Sequence, residues 1–335
     1  MPMAALENLP KIAVVLGDPA GIGPELGARL LAEPENLNKA VVYVLADRSE
    51  VEEAASSAGV SVPLSDEPQA GHAVLRSDDS APAQRVAVGE VSEAAGARVM
   101  HQLRRALAMA RAGEIDGIVF TPLNKTSLHM AGMHEEDELR WFAKELDFSG
   151  TTSELNILDK LWTARVTSHV SISNVASGVT ADNVDKAIQL LHDVLHDSGI
   201  DEPRIGVAAL NPHAGENGLF GREEIDEIKP GIERAQQRGI DALGPFPSDT
   251  IFLARDRFDG IVTQYHDQGQ VAMKLLGFDG GVTVQGGLPV LIATPAHGTA
   301  FDLVGTGKAS LTSTQNAYDI AVAVATRRIN EPSAA

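Results

Sequence analysis

The chain contains no cysteine in its 335 residues. Disulfides, thiolate nucleophiles and thiolate metal sites are thereby excluded, so any metal must be held by histidine and carboxylate. Aromatic residues are scarce, at 4%, too few for platforms on which nucleobases stack. Bases are also in the minority. Lys and Arg number 27 against 46 Asp and Glu, a formal net charge of -19. That field repels polyanions, so neither nucleic acid nor a membrane surface is expected as a partner. An anionic substrate must be met locally, by Lys, Arg, metal or backbone amides. The longest apolar stretch, residues 282–296, is interrupted by glycine and proline, so no membrane span is expected. Residues 1–11 show no basic region followed by an apolar run. No signal peptide is read there, and a cytoplasmic location is the default.

What is present is enough for substantial cores. Hydrophobic residues make up 44%, and the length favours two domains or one two-lobed unit. Short apolar runs at 11–16, 40–46, 117–120, 166–172, 204–209, 260–264 and 289–293 read as strands. Several are Val/Ile-rich without alternation, as in strands buried on both faces. Helical patterns at 92–111, 180–196 and 315–329 lie between or after them. In the second, Thr180 is placed to cap, and Val184, Ile188, Leu191 and Leu195 recur at helical spacing. Strands alternating with helices predict an α/β protein with a mainly parallel sheet. Residues 62–90, rich in Pro, Ser, Asp and Ala, read as loop or weak hairpin. Residues 330–335 read as a frayed end.

Several segments carry groups suited to chemistry. His169, His213 and His266 each sit at or after a strand-like run, and ligands of parallel sheets bind beyond the carboxyl ends of strands. Imidazoles suit zinc, nickel, iron or cobalt. The gaps between the three match no short metal motif, so spacing alone favours three unrelated polar loop residues. His192 and His196, four apart on a helix, fit a solvated face better than a metal. His134 lies in an acidic run, and His72, His101 and His129 lack context. Gly17-Asp-Pro-Ala-Gly-Ile-Gly-Pro-Glu25 opens a helix after the first strand. Its amides suit an anion, or it is simply a tight turn; the third glycine of the dinucleotide fingerprint is missing. Lys125 and Lys274 suit a carboxylate or phosphate, or are surface lysines. The loop from His297 through Gly298, Thr299, Ala300 and Asp302 to Gly305 suits an adenosine, or is an ordinary loop.

Taken together, these segments resemble the 4-hydroxythreonine-4-phosphate dehydrogenase family in order and spacing. The match rests on the Gly17 loop, Asn124-Lys125, Asn211-Pro-His-Ala-Gly-Glu216, Gly244-Pro-Phe-Pro-Ser-Asp249, Tyr265-His-Asp-Gln-Gly269 and the loop 297–305. It covers residues 11–325. The resemblance implies a two-lobed α/β fold like isocitrate and isopropylmalate dehydrogenases, with a cleft between lobes. Residues 1–128 and 285–335 would form the first lobe and 129–284 the second. It also implies a homodimer with shared active sites, each metal receiving histidines from both subunits. By the same resemblance His169, His213 and His266 match metal ligands, with zinc foremost and nickel, cobalt, iron, manganese and magnesium as alternatives. Lys274 matches a substrate lysine, Asp249 and Asp267 match acids near the substrate, and His297 to Gly305 matches an NAD adenosine loop.

The departures concern the substrate. Where the family has His-Thr-Glu, this chain has Glu138-Leu139-Arg140. Thr283 replaces an Asn, and Ile292 replaces a substrate-binding Arg. A hydrogen bond to a charged group contributes about 1.5–3 kcal/mol. At about 1.4 kcal/mol per tenfold, losing that arginine weakens anion binding by roughly one to two orders of magnitude. One branch of the family oxidises the cis-dihydrodiol of terephthalate, which carries carboxylates and no phosphate. Both branches oxidise a hydroxyl β to a carboxylate with NAD, and the product loses carbon dioxide. The altered pocket favours the dihydrodiol branch, yielding protocatechuate. The alternatives are the phosphorylated substrate of vitamin B6 synthesis, and a non-catalytic ligand-binding homologue.

Overall fold

A computed structural model describes residues 6–82, 85–277 and 279–331. The N-terminal residues 1–5 and most of the frayed end read from the sequence, 332–335, lie outside the described residues. The chain divides into two compact units, one of residues 1–149 and 289–335, the other of residues 150–288. Both chain ends therefore belong to the first unit. The boundaries expected from sequence fell at 128/129 and 284/285. The difference at the first boundary has a packing cause. Helix Glu138–Glu145 turns Phe142 onto Phe120, with ring centroids 5.8 Å apart, and Arg104 lies over Trp141. These contacts hold residues 138–145 in the first unit.

The first unit contains strands β1 (Lys11–Val15), β2 (Val41–Val44), β3 (Leu64–Ser65), β4 (Ala73–Leu75) and β5 (Gly117–Phe120), and, from the end of the chain, β12 (Leu291–Pro295). Their order is β3-β4-β2-β1-β5-β12, every pair parallel. β1, β2, β5 and β12 are buried along almost their whole length, which explains their unbroken apolar sequence. The stretch expected as loop or hairpin at 62–90 instead supplies β3 and β4. Two or three residues each is too short for a periodic signal, and they pair in parallel, which a hairpin cannot do. Helix Glu93–Arg111 follows, with Ser92 accepting from the Ala95 amide at its N-terminus.

The second unit has β6 (Ser153–Leu158), β7 (Leu161–Arg165), β8 (Arg204–Ala208), β9 (Asp241–Phe246), β10 (Gly260–Thr263) and β11 (Val282–Gly286), in the order β11-β6-β7-β10-β8-β9. β11, β6 and β7 pair antiparallel; β7, β10, β8 and β9 pair parallel. Helix Ala181–Asp197 starts where the sequence placed it. Thr180 accepts from the Asn183 amide, and Val184, Ile188, Leu191 and Leu195 are buried. The strand expected at 166–172 is not formed. The strand ends at Arg165, and His169 lies in the turn beyond it. Among the described residues, no helix is long and apolar enough to cross a membrane.

Candidate functional site

Three segments singled out by sequence converge in the first unit. Gly17 follows β1 with a φ of +70, and a Cβ there would lie 2.5 Å from Thr121 Oγ1. Only glycine fits that close approach. The Asp18 amide donates to Pro122 O at 3.0 Å, tying this loop to the segment that leads to Lys125. The Ile22 amide donates to Thr299 O at 3.1 Å, tying the same loop to residues 297–305. Gly21 permits that contact, since its Cβ would meet Thr299 Cβ at 2.7 Å. A cavity of about 300 Å³ opens beside these loops, lined by Gly17, Gly21, Pro24, Glu25, Arg98 and Val304. His297 is partly exposed, Gly298 and Asp302 are exposed, and Ala300 adopts a left-handed turn. A Cβ at Gly298 would meet nothing within 4 Å, so space is open there.

Asp18 was not singled out by sequence. It is 1% exposed, and Oδ1 accepts from the Ala20 amide at 2.8 Å. Oδ2 has no hydrogen-bond partner. Burial raises its pKa above the ordinary carboxylate value, opposed by the Ala20 amide and Ser127. The native state then holds this proton more tightly than the unfolded chain, so Asp18 costs stability as pH rises above about 4. Asp18→Asn is expected to raise the melting temperature at neutral pH and to flatten its decline as pH rises above about 4. Thermal melts across that range check it; an unchanged or steeper decline would refute the argument.

Lys125 is exposed and approaches Glu138 at 3.5 Å. Arg140 is exposed on the next helix. Leu139 and Ile292 are 2% and 0% exposed. Neither side chain offers surface to a ligand, and Ile292 lies in β12 opposite Ile118. Ile292, expected at the substrate pocket in place of an Arg, is therefore part of the sheet core.

The histidines lie in the second unit. His266 is the first residue of helix His266–Leu276, and its ring centroid is 5.7 Å from that of His169. Its Nδ1 faces Asp267 Oδ1 at 2.7 Å. With Nδ1–H donating to that carboxylate, Nε2 is left with its lone pair open to a ligand. Lys274 is exposed in the last turn of the same helix, and Asp249 is exposed on the short helix Ser248–Ile251. His213 belongs to an unusual turn in which residues 213–217 all have positive φ. Its ring packs at 6.4 Å from Phe220. Among the described residues, no group of three or more His, Asp or Glu is gathered for a metal. One chain thus brings His169 and His266 together and leaves His213 apart.

Sequence reasoning also missed the residue that shapes the His213 turn. Glu224, 3% exposed, accepts from the Leu210 and Asn211 amides and from the Asn211 side chain, at 2.7–2.9 Å. A Cβ on Gly215 would lie 2.6 Å from Glu224 Oε2. No local signal announces a carboxylate acting across so many residues.

The geometry can be set beside known proteins. A family model described as the pyridoxal phosphate biosynthetic protein PdxA matches residues 37–321. A Pseudomonas aeruginosa protein provisionally named 4-hydroxythreonine-4-phosphate dehydrogenase 2 is 50% identical, over 94% of this chain and 96% of its own. The D-threonate 4-phosphate dehydrogenase of Pectobacterium atrosepticum is 36% identical, over 94% of this chain and 99% of its own. Among solved structures, the 4-hydroxythreonine-4-phosphate dehydrogenase of Klebsiella pneumoniae superposes with a TM-score of 0.81 at 33% identity, covering 95% of this chain and 98% of that one. A terephthalate 1,2-cis-dihydrodiol dehydrogenase of Burkholderia xenovorans gives 0.69 at 29% identity, covering 90% and 94%. The similarity is greater to dehydrogenases named for phosphorylated substrates than to the dihydrodiol enzyme.

Proposed function

Because this chain belongs to the family of the pyridoxal phosphate biosynthetic protein PdxA, we propose that it is an NAD-linked, metal-dependent dehydrogenase of a phosphorylated hydroxy acid. The substrate is of the 4-hydroxythreonine-4-phosphate or D-threonate 4-phosphate kind, oxidised and then decarboxylated. The observation that carries this reading is the paired His169 and His266, with Lys274 on the same helix. Two imidazoles, each with an exposed edge, are a fitting donor set for a divalent ion. His213 of the partner subunit would complete it in a homodimer. The apolar side chains exposed in these segments favour such a dimer: Val170 and Ile172 beside His169, Val271 and Leu275 on the His266 helix.

A metal held by these histidines would ease deprotonation of the substrate hydroxyl, and a nicotinamide would accept the hydride. Asp267 orients the His266 ring. Asp249 takes the hydroxyl proton. Lys274 binds a carboxylate oxygen. On the first unit, Lys125 and Arg140 are exposed cations suited to an anionic group. The loop from His297 to Gly305 receives the adenosine, with Asp302 accepting from ribose hydroxyls.

The dihydrodiol preference drawn from sequence loses its main support, because Leu139 and Ile292 are buried in the core. Supplied with zinc and NAD, the purified chain should form NADH with a phosphorylated substrate and not with terephthalate cis-dihydrodiol. NADH absorbance reads the result. Turnover of the dihydrodiol alone would overturn the substrate assignment.

A further inference from the structure

Helix His266–Leu276 carries both a metal-ligating candidate and a substrate lysine, yet it is poorly anchored by apolar contact. Of its eleven residues only Gly269 and Met273 are buried, and no side chain caps its N-terminus. Val271 and Leu275 face outward, 57% and 83% exposed. A helix held so loosely by its apolar face must be fixed in another way if His266 and Lys274 are to be aimed.

Polar contacts supply the fixing. In the first turn, Gln268 accepts from the Gln264 amide at 2.7 Å and donates to Ala209 O at 2.8 Å. Two residues further, Gln270 Nε2 donates to Asn156 Oδ1 at 2.5 Å. Asn156 lies on β6 and is itself held from two sides. Arg165 Nη1 donates to the same Oδ1 at 3.3 Å, and Asn156 Nδ2 donates to Thr283 Oγ1 at 3.2 Å. Arg165, 6% exposed on β7, is ion-paired with Glu154 of β6. The strut therefore runs Glu154, Arg165, Asn156, Gln270. His266 lies four residues before Gln270 and Lys274 four after it, each about one helical turn away.

Stability alone does not call for this arrangement. Well-packed apolar residues in place of a buried ion pair are often neutral or stabilising. What the strut supplies is direction. A carboxamide oxygen accepts along defined lines, so it fixes both the rotation of the helix and its height above the sheet.

We infer that Asn156 is a positioning residue that sets the helix carrying His266 and Lys274. This inference rests on the metal reading of His266 given above. It also accounts for Thr283, whose hydroxyl serves as a partner of Asn156.

The test uses the full-length chain and three variants. Asn156→Leu and Gln270→Leu each break the strut, one from the sheet and one from the helix. Asn156→Asp keeps the oxygen that Gln270 and Arg165 address. The first readout is amide hydrogen exchange across residues 266–276. Exchange should quicken there in both Leu variants, stay at the wild-type rate in Asn156→Asp, and remain unchanged in the first unit. The second readout is zinc affinity by calorimetry. Lost support of a ligating residue should weaken it about 10- to 100-fold in the Leu variants, with recovery in Asn156→Asp. Unchanged exchange in both Leu variants, or an Asn156→Asp variant as impaired as Asn156→Leu, would overturn the inference. If the wild-type chain binds no zinc but the exchange pattern holds, the strut stands and the metal reading fails.

Discussion

His266→Ala is expected to lower kcat about 10³-fold while leaving the fold intact. Lewis-acid assistance contributes several kcal/mol to the barrier, and each 1.4 kcal/mol or so is a factor of ten. Removing one of the three proposed imidazole ligands should withdraw most of that assistance. The fold should not notice. The His266 side chain is 39% exposed, and its ring meets only His169 and Asp267 among its contacts described above. Surface substitutions away from buried networks stay within about 0.5 kcal/mol. His169→Ala should behave alike. Asp267→Ala should be milder, about 10- to 100-fold, because it removes orientation and leaves the ligating atom. Steady-state kinetics, metal content and a thermal melt on each variant decide the matter. Near-normal kcat in His266→Ala with no metal bound would refute the assignment.

The parts of this molecule that sequence shows well are those whose cause is local. Helix Ala181–Asp197 has its cap and its buried stripe within one segment. β1, β2, β5 and β10 are short apolar runs bounded by turns, and they form where expected. β6 went unread, although Leu155 and Ile157 are buried while Glu154 and Asn156 are partly exposed. That is the alternation of a half-buried strand. Three polar residues in Ser153-Glu-Leu-Asn156 hid it, and two of them, Glu154 and Asn156, build the strut to the His266 helix.

The site was legible to a lesser degree. Three histidines after strand-like runs pointed toward one end of a sheet, but their spacing is set by tertiary structure and carries no code. Only the resemblance separated them from other loop histidines. The substrate positions are hard to read for a different reason. Leu139 and Ile292 occupy family positions, yet a sequence does not say which way a side chain turns. Both turn inward here. Arg140, the next residue on Leu139's helix, turns outward instead, as does Lys125 on the preceding helix.

Gly96→Ala is expected to be the most damaging single methyl in the first unit. Gly96 lies in helix Glu93–Arg111, where that helix crosses Lys125–Met130. A Cβ built there falls 1.9 Å from Ser127 O, 2.3 Å from Ser127 C and 2.9 Å from the Leu128 amide nitrogen. All three are backbone atoms, so no rotamer change relieves the contact. Two effects oppose each other. Alanine gains about 1 kcal/mol over glycine in a helix interior. Overpacking against immovable backbone costs about 4 kcal/mol or more, so the clash wins by about 3 kcal/mol. For a unit of this size that is a fall in Tm of roughly 6–12 °C. The consequence reaches the site, because Ser127 is knit to its surroundings. Its amide donates to Asn124 Oδ1 at 3.0 Å, and its hydroxyl accepts from the Ser92 amide at 3.2 Å. Parting the two helices loosens the cap that starts the Lys125 helix. KM for the anionic substrate should therefore rise even below the melting range. Gly298→Ala is the control, since its Cβ meets no atom within 4 Å and its Tm should match the wild type. A Gly96→Ala chain as stable as the parent would mean that the two helices are not packed this closely.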